Sequence, residues 1–405
     1  CGFPVKAGGS RRVALMFSLD LDHPDVNEFL DYKLTQGRLQ LANVSVRCKN
    51  TTAFIKAVKN DEPWELSWKG KYKTTVSAKD LWDKITSNAY ESAEPGFMNW
   101  ELAESESTIS YIENLSCSNP CSEIVMSPYD CCCLGHLVLH RFIKEDGSVD
   151  YPVLAETIRL GVRFLDNILD VNTFPLEEMR LQSQRLRRIG LGFTGLGDTL
   201  ILCGLKYGSK EANKFVDTLL RFISKQAYEA SIMLAIEKGM FPACLPDQHL
   251  ETGFVSRMPH KIKSLVKEHG IRNCAVLTCA PTGTVSILSG NCSAGLEPIF
   301  APAYERNFFT GDKRNVELVV HPLFKKFLEE GKSIENFISS RDLTVREHME
   351  VQKIIQKHID NAVSKTINIP EDYPKEDVAK AWLEYLPFLK GTTFYRENTR
   401  GYIDA

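Results

Sequence analysis

Hydrophobic positions recur with a 3.6-residue period over Ala78–Ala93, Val153–Leu169 and Ala212–Glu237, which predicts three amphipathic helices. Asp22-His23-Pro24 predicts the start of another, with proline in the first turn, where its missing N–H would be unpaired anyway. Val13–Leu21 is an apolar run ending in charge and reads as a buried strand. Asn114–Met126 and Asn273–Leu288 are rich in β-branched and small residues and read as strands with loops. Helices alternating with short buried strands predict an α/β architecture. No internal repeat, long linker or low-complexity tract interrupts the pattern.

The 405 residues are 43% hydrophobic and 25% charged, which excludes a disordered tail or a fibre. A net charge of −3 supplies no global attraction to nucleic acid or to a membrane surface. No apolar run reaches the length of a spanning helix and the N-terminus is no signal peptide, so a soluble, cytoplasmic protein is expected. Twelve cysteines could staple a small secreted domain, but a chain this long buries a proper core. In a reducing compartment the question becomes which thiols do chemistry and which merely pack.

Asn119-Pro120-Cys121-Ser122-Glu123 is the most informative stretch. Pro120 biases the residue before it to an extended form, and in an extended segment residues two apart share a face. Asn119, Cys121 and Glu123 would then present an amide, a thiol and a carboxylate together, enough to hold a hydroxyl, abstract an atom and move a proton. The plainer alternative is a turn with a buried cysteine and a surface glutamate. Beyond it lie Cys131-Cys132-Cys133. Adjacent cysteines rarely pair with each other because a vicinal disulfide strains the intervening peptide. A redox thiol with a distant partner and simple packing both remain open, while a zinc site lacks the second ligand pair it needs.

Ala280-Pro281-Thr282-Gly283-Thr284-Val285-Ser286 combines a glycine, three hydroxyls and a run of amides after an apolar segment. Such a loop can hold phosphate through backbone N–H groups, better still where a helix starts behind it, and an ordinary strand-to-helix turn is the alternative. The lysine of a Walker loop is missing. Gly190-x-Gly192-x-x-Gly195 fits a dinucleotide fingerprint literally, yet the residues before it are polar and basic rather than a hydrophobic strand. These glycines are expected to allow close packing between a helix and a neighbouring element.

Taken together, these motifs resemble the catalytic subunit of ribonucleotide reductases, most closely the adenosylcobalamin-dependent class II enzymes. The resemblance runs from Val5–Arg12 and Leu19–Asp25 through Asn119–Glu123 and Arg188–Gly192 to Ala280–Ser286 and Gly295–Pro298, in order and over nearly the whole chain. It implies a ten-stranded α/β barrel of two half-sheets with Cys121 on a central loop, residues 1–405 being the C-terminal portion of that barrel domain. It implies radical reduction of a ribonucleotide to the 2′-deoxyribonucleotide, with adenosylcobalamin as cofactor. Cys121 would be the thiyl radical, Glu123 the base at the 3′ hydroxyl and Asn119 a hydrogen-bonding partner of the ribose hydroxyls. Cys132 would be one half of the redox pair. Thr282, Gly283, Thr284 and Ser286 would hold the substrate phosphates. Lys6, Gly8, Gly9, Arg11 and Arg12 would form the loop that communicates the identity of a nucleotide effector. An external dithiol would restore the pair.

The family's other redox cysteine, its effector-binding elements and its first barrel strands match nothing in this chain. They imply an N-terminal complementing fragment or upstream region. Cys1 lies inside a family motif, which raises the expectation of a split gene joined by a split intein, with non-covalent assembly or truncation as alternatives. Cys133 stands where the family carries asparagine, so Cys131 and Cys133 are candidate competing thiols. Tyr395 is followed by Arg396, whereas iron-dependent class I enzymes carry two adjacent tyrosines there. A class I catalytic subunit with a metal-containing radical partner is the nearest alternative, and a non-catalytic redox or zinc-binding protein is one from another class.

Overall fold

The long helices form where the periodicity puts them, and local end groups delimit each. In the computed structural model, which describes residues 14–35, 42–70, 72–310, 313–397 and 399, the first spans Ala78–Ser92. The Ser77 hydroxyl accepts the Asp80 N–H at its start, and Ala93 closes it in the left-handed conformation. Tyr151–Val171 is capped by Asp150, and Lys210–Lys238 runs from a Ser209 cap to Gly239. The helix expected at Asp22-His23-Pro24 begins slightly later, at Val26, whose N–H is taken by the His23 carbonyl. The effector loop Lys6, Gly8, Gly9, Arg11 and Arg12 lies outside the described residues.

The strands in chain order begin with β1 (Leu15–Asp20), β2 (Ala42–Cys48), the hairpin β3 (Pro63–Trp68) and β4 (Tyr72–Ser77), and β5 (Gly96–Asn99). A second, very short hairpin joins β6 (Cys117–Ser118) to β7 (Val125–Met126) and precedes β8 (Cys133–Val138) and β9 (Ile189–Thr194). The hairpin β10 (Ala303–Thr310) and β11 (Lys313–Val320) precedes β12 (Thr366–Ile369) and β13 (Gly391–Arg396).

Parallel pairing links β1, β2 and β5 on one side. On the other side β8 pairs with β9, Leu191 of β9 bridges Leu277, Cys279 bridges Val363, and β12 pairs with β13, all parallel. The two sets meet where β13 runs antiparallel to β5, Gly391 opposite Met98. This is a mixed α/β fold of two parallel half-sheets sharing one antiparallel seam. Among the described residues the pairings make no closed ring.

Two sequence expectations need correction here. Leu15 and Phe17 are 46% and 47% exposed, so β1 is not a buried strand: among the described residues it pairs only with β2 and leaves its outer side open. Asn273–Leu288 contributes only the two single-residue bridges before turning into a helix at Gly283–Leu288. The small and β-branched residues of its first half, 273–280, are all buried, a demand that strand and loop meet equally well.

The core has two main parts. Ile158, Val162 and Leu165 of one long helix and Leu220, Ile223 and Ala227 of another pack with Leu191 and Phe193 of β9. Beneath the first half-sheet, Trp82, Phe97 and Phe394 surround Trp382, with ring centroids 5.3, 6.2 and 4.6 Å from it. Among the described residues no helix is long and apolar enough to cross a membrane. Trp382 is fully buried on a helix that seals the seam strands. Trp382→Ala is therefore expected to lower the unfolding free energy by about 3–5 kcal/mol, read from urea denaturation.

Candidate active site

Asn119–Glu123 forms the tip of the β6–β7 hairpin. The Ser122 N–H donates to the Asn119 carbonyl at 2.9 Å, and Ser122 takes a left-handed φ of 62°. That turn breaks the extended run, so strand alternation does not bring Asn119, Cys121 and Glu123 together. The turn itself does. The Asn119 side chain curls back to accept the Ile124 N–H at 3.0 Å and to bond the Glu123 carboxylate, while Cys121 lies at the exposed corner. Glu123 is buried, contrary to the plainer expectation of a surface carboxylate.

The tip is held from both half-sheets. The Glu123 carbonyl accepts the Ala362 N–H at 2.8 Å and the Thr278 hydroxyl at 3.0 Å. From β2, Asn43 donates to the Pro120 carbonyl at 2.9 Å and Arg47 to the Ser116 carbonyl at 2.7 Å. The hairpin thus threads between the two sheets, which buries Glu123 and leaves Cys121 at the open corner. Burial raises the Glu123 carboxyl above its ordinary range, only partly offset by the Asn119 bond, and leaves its Oε2 with no partner among the described residues. A carboxylate of raised basicity with an open lone pair is suited to take a proton. Desolvation, helped by the Glu123 charge, pushes the Cys121 thiol up to about 11. Cys121 therefore carries its hydrogen at neutral pH, as a hydrogen-atom donor must.

Cys132 directly precedes β8, and its sulfur packs over Gly190 of β9. A Cβ at Gly190 would lie 3.0 Å from that sulfur and 2.7 Å from a Leu134 methyl. The expected glycine packing is real, but it is strand against strand. The residues before β9 form the helix Glu177–Leu186, so the dinucleotide fingerprint has no strand in front of it. Burial pushes the Cys132 thiol well up, and the Arg188 guanidinium pulls against it. Arg188 is itself fixed by Asp130 at 2.6 Å and Asn361 at 2.9 Å, and its charge also reaches Cys274. Cys131 and Cys133 are raised less and sit half-buried on either side.

The Thr282–Ser286 loop lies beyond the other end of β9, and its hydroxyls divide into two groups. Thr194 donates to the Ser293 carbonyl at 3.1 Å, so its 2.9 Å contact with Thr282 is Thr282 donating to Thr194. The Thr282 oxygen then accepts the Gly295 N–H at 2.6 Å. Gly295 must be glycine there: its φ is 51° and a Cβ would meet the Ala280 carbonyl at 2.8 Å. Ser286 donates to the Gly283 carbonyl at 3.0 Å. Thr282 and Ser286 are thus buried and internally engaged, while Gly283 and Thr284 are exposed at the start of the helix. The sequence reading overlooked Thr194, Asp198 and Ser293. Asp198 accepts the Ser293 N–H at 2.7 Å, and Ser293 accepts the Gly197 N–H at 2.9 Å. These partners lie about a hundred residues apart, and no local signal joins them.

A family model for the ribonucleotide reductase barrel domain matches residues 3–394. A vitamin B12-dependent ribonucleoside-diphosphate reductase of Thermoplasma acidophilum is 31% identical over 98% of this chain and 52% of its own length. A protein of the same name from Mycobacterium tuberculosis is 30% identical over 98% of this chain and 58% of its own. The ribonucleoside-diphosphate reductase subunit alpha of Chlamydia trachomatis is 28% identical over 76% of this chain and 35% of its own. The chain spans about half the length of the first two relatives.

Two outcomes follow from this geometry. Because the Cys121 thiol titrates near 11, its alkylation by iodoacetamide should accelerate about tenfold per pH unit between 7 and 10, measured by mass spectrometry of the Cys121 peptide. Thr194→Val should cost about 1–3 kcal/mol in thermal unfolding, because it strands the buried Thr282 hydroxyl proton, while Thr194→Ser should restore most of that.

Proposed function

The chain belongs to the ribonucleotide reductase barrel-domain family, and from that premise we propose that it is the catalytic portion of an adenosylcobalamin-dependent ribonucleotide reductase. The observation that carries this reading is the hairpin tip, where an accessible thiol that keeps its hydrogen lies beside a buried carboxylate with a free oxygen. When bound, the cofactor supplies the radical that takes the hydrogen from Cys121. The residues present fit such a group, because Cys121 is the accessible corner of its turn and a large cofactor can approach its sulfur without entering the core.

The Cys121 thiyl then takes the 3′ hydrogen of the ribose. Glu123 accepts the 3′ hydroxyl proton, and Asn119, which already touches Glu123, holds the ribose hydroxyls. The 2′ hydroxyl leaves as water with a proton from the thiol pair, which also delivers the hydrogen that the 2′ carbon gains, and Glu123 returns its proton to the 3′ oxygen. Cys132 and a partner thiol supply two electrons and become a disulfide, and Cys121 returns its hydrogen to the 3′ carbon. Gly283 and Thr284, backed by Thr282 and Ser286, meet the substrate phosphates. The names of the relatives favour a ribonucleoside diphosphate as substrate.

In this reading the two half-sheets are completed to a ten-stranded barrel by strands outside residues 1–405, and the half-exposed Leu15 and Phe17 of β1 support a neighbour there. A nucleotide effector, an upstream region carrying the second redox cysteine, and an external dithiol complete the system. A class I subunit is less well supported. Where such enzymes carry a second tyrosine, Arg396 lies over the Tyr90 ring at 4.4 Å and donates to the Tyr90 carbonyl at 3.1 Å.

The deciding assay is deoxynucleotide formation from a ribonucleoside diphosphate with dithiothreitol and adenosylcobalamin, with and without the upstream complement. Product requiring both is expected. Product only with an iron radical subunit would move the chain to class I, and product from this chain alone would mean that the second redox cysteine lies within it. Cys121→Ser should abolish turnover, whereas Cys132→Ser should still form the radical in electron paramagnetic resonance but fail to sustain turnover. Unchanged radical yield in Cys121→Ser would sink the thiyl assignment.

A further inference from the structure

A cavity of about 290 Å³ opens between the middle of the Lys210–Lys238 helix, the Phe254–Pro259 turn and Lys357-His358. Arg221, Lys225, Arg257 and Lys357 line it together with His358 and Ser224, and among the described residues no carboxylate lines it. The carboxylates that hold these cations lie to the side. Asp217 accepts Lys357 at 3.0 Å, His358 at 2.9 Å and also Arg221, while Glu106 pairs with Arg257. Four full cations against two carboxylates leave an excess of positive charge, and Lys225 makes no hydrogen bond or ion pair among the described residues.

The site is built rather than incidental. Ser224 and His358 are both more than nine-tenths buried yet reach the cavity wall. The Ser224 hydroxyl makes no hydrogen bond among the described residues. Arg257 uses Nη1 on Glu106 and the Gly253 carbonyl and lies over the Phe254 ring at 5.6 Å, so its remaining N–H groups are held in place and free. Fixed guanidinium and ammonium donors around a serine hydroxyl match the tetrahedral oxygens of a phosphoryl group. The charges surround one concavity instead of tracking along the surface, which suits a small phosphate compound better than a nucleic-acid strand.

We propose that this cavity is a second phosphate-binding site, separate from the Thr282–Ser286 loop, that takes a compound bearing a pyrophosphate group. None of its lining residues belongs to that loop or to the Cys121 hairpin, so the inference does not rest on the reductase reading. The compound is either a nucleoside di- or triphosphate held by its phosphates or an inorganic polyphosphate.

The test is calorimetric titration of the chain with inorganic pyrophosphate and, separately, with ADP. It is repeated for Lys225→Glu, which breaks no contact, and for Lys225→Glu/Lys357→Glu, with a melting curve for each. Charge reversal should weaken binding at least about tenfold, and added salt should weaken wild-type binding further. To separate the two phosphate sites, Thr284→Glu should leave this binding intact. Pyrophosphate and ADP bound alike would identify the phosphates as the recognised group, whereas ADP alone would identify a nucleotide. Isotherms unchanged in both variants, or binding lost in Thr284→Glu and retained in the charge reversals, would overturn the proposal.

Discussion

Everything at the candidate site depends on one acceptor, the main-chain carbonyl of Glu123. It takes a backbone N–H from Ala362 and a hydroxyl from Thr278, and so joins the hairpin tip to two neighbouring strand segments of one half-sheet. A six-residue loop needs such an anchor to stay between two sheets, together with the bonds from Asn43 and Arg47, since its own ladder is only two residue pairs long. With that carbonyl fixed, Asn119 closes the turn, Glu123 is carried into a desolvated position, and Cys121 is left at the corner. The chemistry of the thiol and the carboxylate is thus set by backbone hydrogen bonding and burial more than by any charged neighbour.

The same economy appears at the Thr282–Ser286 loop. Its exposed amides depend on a relay of hydroxyls, Thr282 to Thr194 to the Ser293 carbonyl, that never reaches solvent. A buried hydroxyl with donor and acceptor both used resists rearrangement, because any movement leaves a polar group unpaired. The loop is therefore shaped before any ligand arrives.

The long helices were legible because their apolar stripes persist for many turns and their caps are local: Ser77, Asp150 and Ser209 each precede the helix they start. The strands were less so. Leu277 and Cys279 are single bridges whose partners lie some eighty residues away in sequence, and a fully buried short segment has no alternation to read. At Asn119–Glu123 the grouping of side chains was anticipated for the wrong reason, since the left-handed Ser122 makes a turn where strand geometry was assumed. The individual roles came from resemblance. What no local pattern could supply was the set of supports, Asn43, Arg47, Thr194 and Asp198, because each acts on a segment remote in sequence.

The strand β9 serves as a ruler. Gly190 near its start receives the Cys132 sulfur, and Thr194 at its end holds Thr282. Four residues of extended chain separate them, about 13 Å at roughly 3.3 Å per residue. A slip of one residue in the pairing of β9 with β8 would leave that spacing intact but carry the Cys132 sulfur one increment along β9 and off the face that Gly190 presents. The distance between the Cys132 thiol and the Thr282–Ser286 loop is therefore quantised by strand register, and it can be changed only in steps that destroy the contact at Gly190.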